Sequence, residues 1–394
     1  MPVADRPIVI ITGSSGLIGS AVAARFAEHY QILGFDRDPP KDTAIVDFFE
    51  VDITSDDEVR RAVQEARRRY GDKIASVIHL AAYYDFSGEP SPLYDEVTVR
   101  GTERLLQSLR SPELPGEPGE PGVQVEQFVF SSTMLVHAPC QPGQKINEDW
   151  PVDAKWDYPR SKLETEQLIA AERGPIPGVL LRIAGVYDDQ CHSIPIAHQI
   201  QRINERRMTA KVFPGDTATG QAFIHMDDLV DLLLRVVDRR AELAATAPGV
   251  LTLLAGEPQT LSYDEVQRTL AWLIHGEAEW ETTQVPKAVA RAGAWVQGKA
   301  SDFPGVEEPF IKPWMIEMAD DHYELDITRA KQMVGWEPKR TLRETLPVIV
   351  EDLKRDPAGF YQRNNLEGPP PPPEVEAPES PEVVIRATQA HKSD

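Results

Sequence analysis

Tyr158 and Lys162 stand four positions apart in the run Tyr158-Pro159-Arg160-Ser161-Lys162, and on a helix residues so spaced share one face. A phenol and an ammonium can then converge. A free phenol has a pKa of about 10, and a fixed neighbouring cation stabilises its phenolate. Each unit of lowering requires ~1.4 kcal/mol, within reach of one or two close positive charges in a dry site. Such a phenol accepts the proton of an alcohol or returns one to a carbonyl. Ser131-Ser132-Thr133 ends the preceding apolar run, and a hydroxyl there could orient the reacting oxygen. Taken alone, the tyrosine–lysine spacing also suits the start of a surface helix, and the hydroxyls also suit a strand-end cap.

These groups need a scaffold, and the first half of the chain supplies a regular one. Residues 8–12, 31–36, 45–53, 74–81, 127–132 and 179–186 read as buried strands, with helical stretches near 17–29, 55–70, 92–109 and 159–173. Such alternation predicts right-handed crossovers and a parallel sheet covered on both faces. A helix near 226–240 and a strand near 250–254 are expected to return to this core. Residues 111–122, SPELPGEPGEPG, cannot form a helix or a central strand, because proline lacks the donor and glycine adds chain entropy. They read as an exposed loop.

The first strand runs directly into Thr12-Gly13-Ser14-Ser15-Gly16-Leu17-Ile18-Gly19, which opens an amphipathic helix. Gly13 makes the tight turn, Gly16 lets backbone approach a pyrophosphate, and Gly19 permits close helix–strand packing. The helix start offers unpaired N–H groups and a positive dipole end to phosphates. Ser15, Leu17 and Ile18 belong to the same loop and first turn. Asp36 ends the second strand, where a carboxylate can accept bonds from the adenosine ribose hydroxyls and repel a 2′-phosphate. NAD is therefore expected over NADP, although Arg37 next door is the usual kind of phosphate partner. Asp52 and Ile53, closing the third strand, could flank the adenine. His79-Leu80-Ala81-Ala82 closes the fourth, where small residues would let backbone lie along the cofactor, and His79 itself reads as a packed structural histidine.

Taken together, glycine loop, Asp36, His79 to Ala82, hydroxyl cluster, tyrosine–lysine pair and the later Leu181 to Tyr187 resemble an extended short-chain dehydrogenase/reductase of the NAD-dependent epimerase/dehydratase group. The resemblance extends over about residues 7–355. It implies an α/β fold, a Rossmann-type doubly wound parallel sheet with a smaller C-terminal substrate-binding lobe. Residues 1–186, completed by about 223–255, would bind NAD. Residues 187–222 and 256–366 would mainly form the lobe, and 367–394 a disordered Pro/Glu-rich tail. The resemblance implies Thr133, Tyr158 and Lys162 as catalytic, with Lys162 also holding the nicotinamide ribose, and a homodimer through core helices. The chain departs from the group at Met134-Leu135, where sugar dehydratases carry an acidic pair, and at Gln221-Ala222, where many epimerases carry a phosphate-gripping arginine. Dehydration is thereby disfavoured.

An enzyme acting on a hydroxyl-bearing carbon of a sugar or nucleotide-sugar-like substrate is the first expectation. An oxidoreductase of an apolar alcohol, resembling the 3β-hydroxysteroid dehydrogenase branch, is the alternative. It is favoured by Trp295, Phe303, Phe310, Trp314, Met315 and Met318, expected near the substrate cleft or in the core of the lobe. A non-catalytic NAD-binding regulator is the third, and the presence of both Tyr158 and Lys162 speaks against it. The net charge of −22, from 41 basic and 63 acidic residues, argues against a grip on nucleic acid or anionic membrane. Cys140 and Cys191 offer no disulfide framework or zinc spacing, so no metal is expected. No run approaches the ~20 apolar residues of a membrane span, and no signal peptide is legible, so the expected setting is the cytoplasm.

Overall fold

Ile8 and Ile10 of the first strand join one hydrophobic cluster, and Val9 and Ile11 the other. That two-fold alternation, apolar on both sides, requires cover on both faces of the sheet. The computed structural model describes residues 6–85, 88–110, 123–292 and 312–368. Its sheet strands are β1 (Ile8–Thr12), β2 (Gln31–Asp36), β3 (Asp47–Glu50), β4 (Ser76–His79), β5 (Phe128–Thr133), β6 (Gly178–Ile183) and β9 (Val250–Ala255). They lie in the order β9-β6-β5-β4-β1-β2-β3, all parallel. The sheet order reverses at β1 and β4, which opens a crevice at their carboxyl ends. The α/β fold is the one expected. The 111–122 loop and the tail from 369 onward lie outside the described residues.

Helix α1 (Leu17–Phe26) follows β1, α2 (Asp56–Tyr70) follows β3, and α3 (Arg100–Arg110) and α4 (Asp157–Glu172) frame β5. Ser55 caps α2 through its side chain, and three acidic residues in the first turn and three arginines in the last match the helix dipole. The single helix expected over 92–109 has two parts, a wider π-helical turn at Tyr94–Val99 and then α3.

The strand expected over 179–186 is interrupted. Ala184 still donates to Ala255 O, but Gly185 donates to Ala222 O, so the chain changes partners within one residue. Beyond it β7 (Gly185–Tyr187) pairs with β8 (Phe223–His225). A Cβ on Gly185 would fall 2.8 Å from the Phe223 ring, so glycine is required at the switch. Helix α5 (Ile194–Asn204) leads out of this corner, and α6 (Met226–Asp238) returns to the sheet against α1. Helices α7 (Tyr263–His275) and α8 (Leu342–Arg355) join α5 around a separate apolar cluster that includes Ile200, Trp280, Leu346 and Phe360. This third cluster takes in Tyr187 of β7, and Phe223 of β8 packs against it. Among the described residues no helix is long and apolar enough to cross a membrane, and no group of three metal-ligating side chains forms.

Candidate active site

The carboxyl ends of β1, β4 and β5 meet at one cavity of about 760 Å³. At its β1 end, Gly13 adopts φ +69°, and its N–H donates to Phe35 O at 2.9 Å. A Cβ on Gly13 would meet Ala81 N at 3.0 Å, and one on Gly19 would lie 2.0 Å from Gly13 O. Glycine is thus fixed at both positions by contact. Gly16 begins α1 without any side-chain cap, and Leu17, Ile18 and Gly19 line the cavity. The orphan N–H groups and dipole of that helix end suit a pyrophosphate. A dinucleotide fits the residues present.

Asp36 does more than the sequence suggested. Its Oδ2 accepts from Ser15 N at 2.9 Å and its Oδ1 from Arg37 N at 2.8 Å, so the carboxylate anchors the glycine loop to β2. Ser15 Oγ donates to Asp38 O at 2.6 Å and draws the two segments closer. Asp52 Oδ1 accepts from the amide and hydroxyl of Thr54, both at 2.8 Å. Burial raises the Asp52 carboxyl, and the Thr54 bonds with the nearby Arg37 outweigh it, leaving the group below its usual range. Ile53 is buried against Gly101. Gly13, Gly16, Leu80 and Ala82 are cavity walls, whereas Ser15, Asp36, Arg37, Asp52, Ile53 and Ala81 stand outside them.

His79 is a strut. Thr102 Oγ1 spends its proton on Thr98 O at 2.6 Å, so His79 Nε2 must donate to Thr102 at 2.8 Å. Nδ1 then accepts from Thr12 Oγ1 at 2.6 Å, and Thr12 in turn accepts from the amides of Leu80 and Ala81, both at 3.2 Å. Burial pushes the imidazole down to about 3, so it stays neutral. This one side chain binds β1, β4 and α3 and sets the path of Leu80 to Ala82.

At the β5 end, Thr133, Tyr158 and Lys162 all line the cavity. Tyr158 shares a hydrogen bond with the Thr133 hydroxyl. Lys162 Nζ donates to Ser131 O at 2.6 Å, 5.8 Å from the Tyr158 ring centre and 4.8 Å from that of Phe130. The expected lowering of the phenol by Lys162 is not produced by the protein's own groups. Burial drives Tyr158 above its ordinary value, and the Thr133 bond only partly opposes this. Burial also pushes the Lys162 ammonium down to about 7, against the raising influence of Glu166.

Sequence reasoning missed the layer beneath. Arg182 grips Glu166 with two nitrogens, at 2.7 and 3.0 Å, inside the protein. Ser132 Oγ donates to the same Glu166, and Arg182 also donates to His137 Nε2 at 3.0 Å. Burial and the adjacent guanidinium hold His137 neutral, pushed down to about 4. The available signals were a lone arginine inside the apolar run Leu180 to Ile183, and Glu166 one helical turn beyond Lys162. The rings of Tyr84 and Trp156 were missed as well. Tyr84 meets Tyr158 edge-on with centroids 4.8 Å apart, Trp156 lies 5.4 Å from Tyr158, and Trp314 lies 5.0 Å from Trp156. Trp314, Met315 and Met318 line the cavity as anticipated, while Trp295, Phe303 and Phe310 lie outside the described residues.

The sheet order and the glycine loop at the β1–α1 joint define a Rossmann-type dinucleotide-binding protein. The chain belongs to the NAD dependent epimerase/dehydratase family, whose sequence pattern matches residues 9–247, and it is an NAD-dependent enzyme. It is 25% identical over 352 residues to dTDP-6-deoxy-L-talose 4-dehydrogenase (NAD(P)(+)) of Kitasatospora kifunensis, covering 86% of this chain and 93% of that one. With the decarboxylating sterol-4-alpha-carboxylate 3-dehydrogenase of Candida albicans it shares 21% identity over 369 residues, covering 88% and 98%. Its fold matches that of MoeE5, solved with UDP-glucose and NAD, at a TM-score of 0.62 and 21% identity, covering 88% and 99%.

Proposed function

We propose that this enzyme moves a hydride between NAD and a carbon bearing oxygen on a sugar-like ring, with Tyr158 handling the proton. The observation that carries this reading is the meeting of Thr133, Tyr158 and Lys162 on a cavity whose other wall is the glycine loop. NAD, when bound, supplies the hydride acceptor or donor. Thr133 orients the substrate oxygen, and the Tyr158 hydroxyl exchanges a proton with it. Lys162 holds the nicotinamide ribose and, when charged, stabilises the phenolate. Because burial keeps the phenol protonated, Tyr158 is ready to donate to a carbonyl, and the oxidative direction depends on positive charge close by. Asp36 favours NAD over NADP.

A sugar-like ring is supported by hydrogen-bonding side chains along the cavity, including Gln221, His192 and the Lys155–Asp321 pair at 2.7 Å, beside the aromatic faces of Trp156 and Trp314. The Kitasatospora relative is named for a nucleotide-linked deoxysugar, which agrees. The apolar-alcohol reading keeps a specific support in Leu135, Phe223, Met315 and Met318, which share the same walls, and in the sterol named for the Candida relative. Both free cysteines are buried, which suits a reducing cytoplasm, and a homodimer through core helices belongs to the same reading.

Denaturing the purified protein and measuring released nucleotide tests the mode of turnover. An epimerase recaptures its hydride, so near-stoichiometric release favours epimerisation. An empty protein that reduces added NAD with UDP-glucose or a free hexose favours net oxidation of a sugar. Reduction of NAD with a 3β-hydroxysteroid alone would replace the sugar reading by its alternative.

A further inference from the structure

Between β7 and α5 the chain makes a turn that ordinary residues avoid. Cys191 and His192 are consecutive non-glycine residues at φ +82° and +37°. Side chains in this left-handed region crowd their own backbone, and such positions persist only where the surroundings over-determine them. Here they do. Asp188 and Cys191 exchange two backbone bonds, at 3.0 and 3.2 Å, and the Cys191 side chain is fully buried. The consequence is the placement of one ring: His192 lines the main cavity, with its Nδ1 2.6 Å from Asp188 Oδ2.

Asp188 is itself committed. Its other oxygen accepts from Gln190 N at 2.9 Å, so the carboxylate sits in a closed turn and cannot follow a moving partner. As a carboxylate it can only accept, so the His192 nitrogen that faces it, Nδ1, is the donor. Nε2 bonds to no described residue, on a ring that lines the cavity. A hydroxyl, which can both donate and accept, is the group that meets it. Neither Thr133 nor Tyr158 fills this need, because both serve the oxygen that reacts.

We propose that the Asp188–His192 pair fixes a second hydroxyl of the substrate, so that the cavity takes a ring with at least two hydroxyls, one reacting at Tyr158 and one hydrogen-bonded to His192 Nε2. This rests on the oxidoreductase reading given above and narrows its substrate class to polyols. His192 acts by positioning and takes no proton from the reacting carbon.

The test uses the full chain with saturating NAD, and two kinds of probe. UDP-glucose and D-glucose carry several hydroxyls, and cyclohexanol carries one. His192→Asn is the informative variant, since asparagine tolerates the left-handed backbone and is too short to reach the same point. Loss of one neutral hydrogen bond should raise KM for a polyol by about tenfold with kcat nearly unchanged. Asp188→Asn, which keeps an acceptor for Gln190 N, should give a smaller rise. Cyclohexanol kinetics and NAD affinity should not move. Equal effects on both kinds of probe, or an unchanged KM for polyols, would overturn the proposal.

A binding arm keeps the outcome separate from turnover. The His192 ring resonance, assigned by its loss in His192→Asn, is followed by NMR as each probe is added. Movement with UDP-glucose or D-glucose and not with cyclohexanol supports the proposal, and a stationary resonance overturns it. Movement with neither NAD reduction nor epimerisation of the added sugar would retain the hydroxyl contact and remove the proposed hydride transfer on these sugars instead.

Discussion

Replacing Lys162 with methionine should stabilise the protein at low pH and destabilise it at high pH. Lys162 is 2% exposed, and burial pushes its ammonium down from 10.5 to about 7. A drop of this size corresponds to roughly 5 kcal/mol of destabilisation wherever both folded and unfolded chains hold the proton. Methionine fills similar volume and carries no charge to desolvate. It also strands Ser131 O, which accepts from Nζ at 2.6 Å, at a cost of about 1–3 kcal/mol. The balance below pH 7 is a gain of roughly 2–4 kcal/mol for the variant.

The pH dependence carries the sign. Between about pH 7 and 10.5 the unfolded chain keeps the lysine proton that the folded chain has released, so wild-type stability rises with pH by about 1.4 kcal/mol per unit from this group. Methionine has no such term, and all other titrating groups are common to both proteins and cancel in the difference. The advantage of Lys162→Met should therefore shrink above pH 7 and change sign before pH 10.5, where only the stranded carbonyl remains. Urea unfolding of both proteins at several pH values measures this directly. A stability difference independent of pH, or a variant less stable than wild type near pH 6, would refute the reasoning. Turnover should be lost at every pH.

Two other substitutions separate chemistry from binding. Tyr158→Phe should lower turnover by ~10²–10⁴-fold while titration calorimetry shows NAD affinity nearly unchanged, since the glycine loop and α1 serve the phosphates; activity within a few-fold of wild type would remove the phenol from the mechanism. Asp36→Ala should weaken NAD binding more than NADP binding, and should weaken both somewhat, because the Ser15 N anchor goes with the carboxylate. Better NADP than NAD binding by the unaltered protein would assign this site to Arg37.

The parts of this molecule legible from sequence are those governed by local sterics and burial. Strands covered on both faces read as apolar runs, Gly13 has the positive φ of a tight turn, and Gly19 is dictated by backbone contacts within its own turn. The tyrosine–lysine pair was readable because helical spacing alone sets which residues share a face. What escaped depends on partners distant in sequence. The break at Gly185 follows from Phe223 and Ala222, the anchoring of Ser15 from the exact reach of Asp36, and the aim of His192 from a strained turn held by Asp188. The direction in which the protein's own groups move the phenol was hidden for the same reason. Proximity in sequence gave the charge beside Tyr158, but not the burial of both groups, which outweighs it.

Helix α4 shows how that burial is organised. Tyr158, Lys162 and Glu166 recur every four residues along it, with the phenol at the cavity and the carboxylate buried beneath β5 and β6. A carboxylate one turn from a buried ammonium would normally neutralise it and hold its proton firmly. Here Arg182 occupies both oxygens of Glu166, and Ser132 adds a third bond. The carboxylate is thereby committed to the guanidinium, and the direct acceptor left to Lys162 Nζ is a neutral carbonyl, Ser131 O. The lysine proton is held loosely enough to leave near neutral pH. Removing the arginine's claim should reverse this. In Arg182→Met, Glu166 would face Lys162 unshared, and the lysine pKa should rise well above 7. The pH at which Tyr158-dependent turnover gains its cation would rise with it. Arg182→Lys, which keeps a charge on Glu166 but only one donor direction, should fall between the two. A pH profile of turnover unchanged in both variants would show that Glu166 does not set the charge of Lys162.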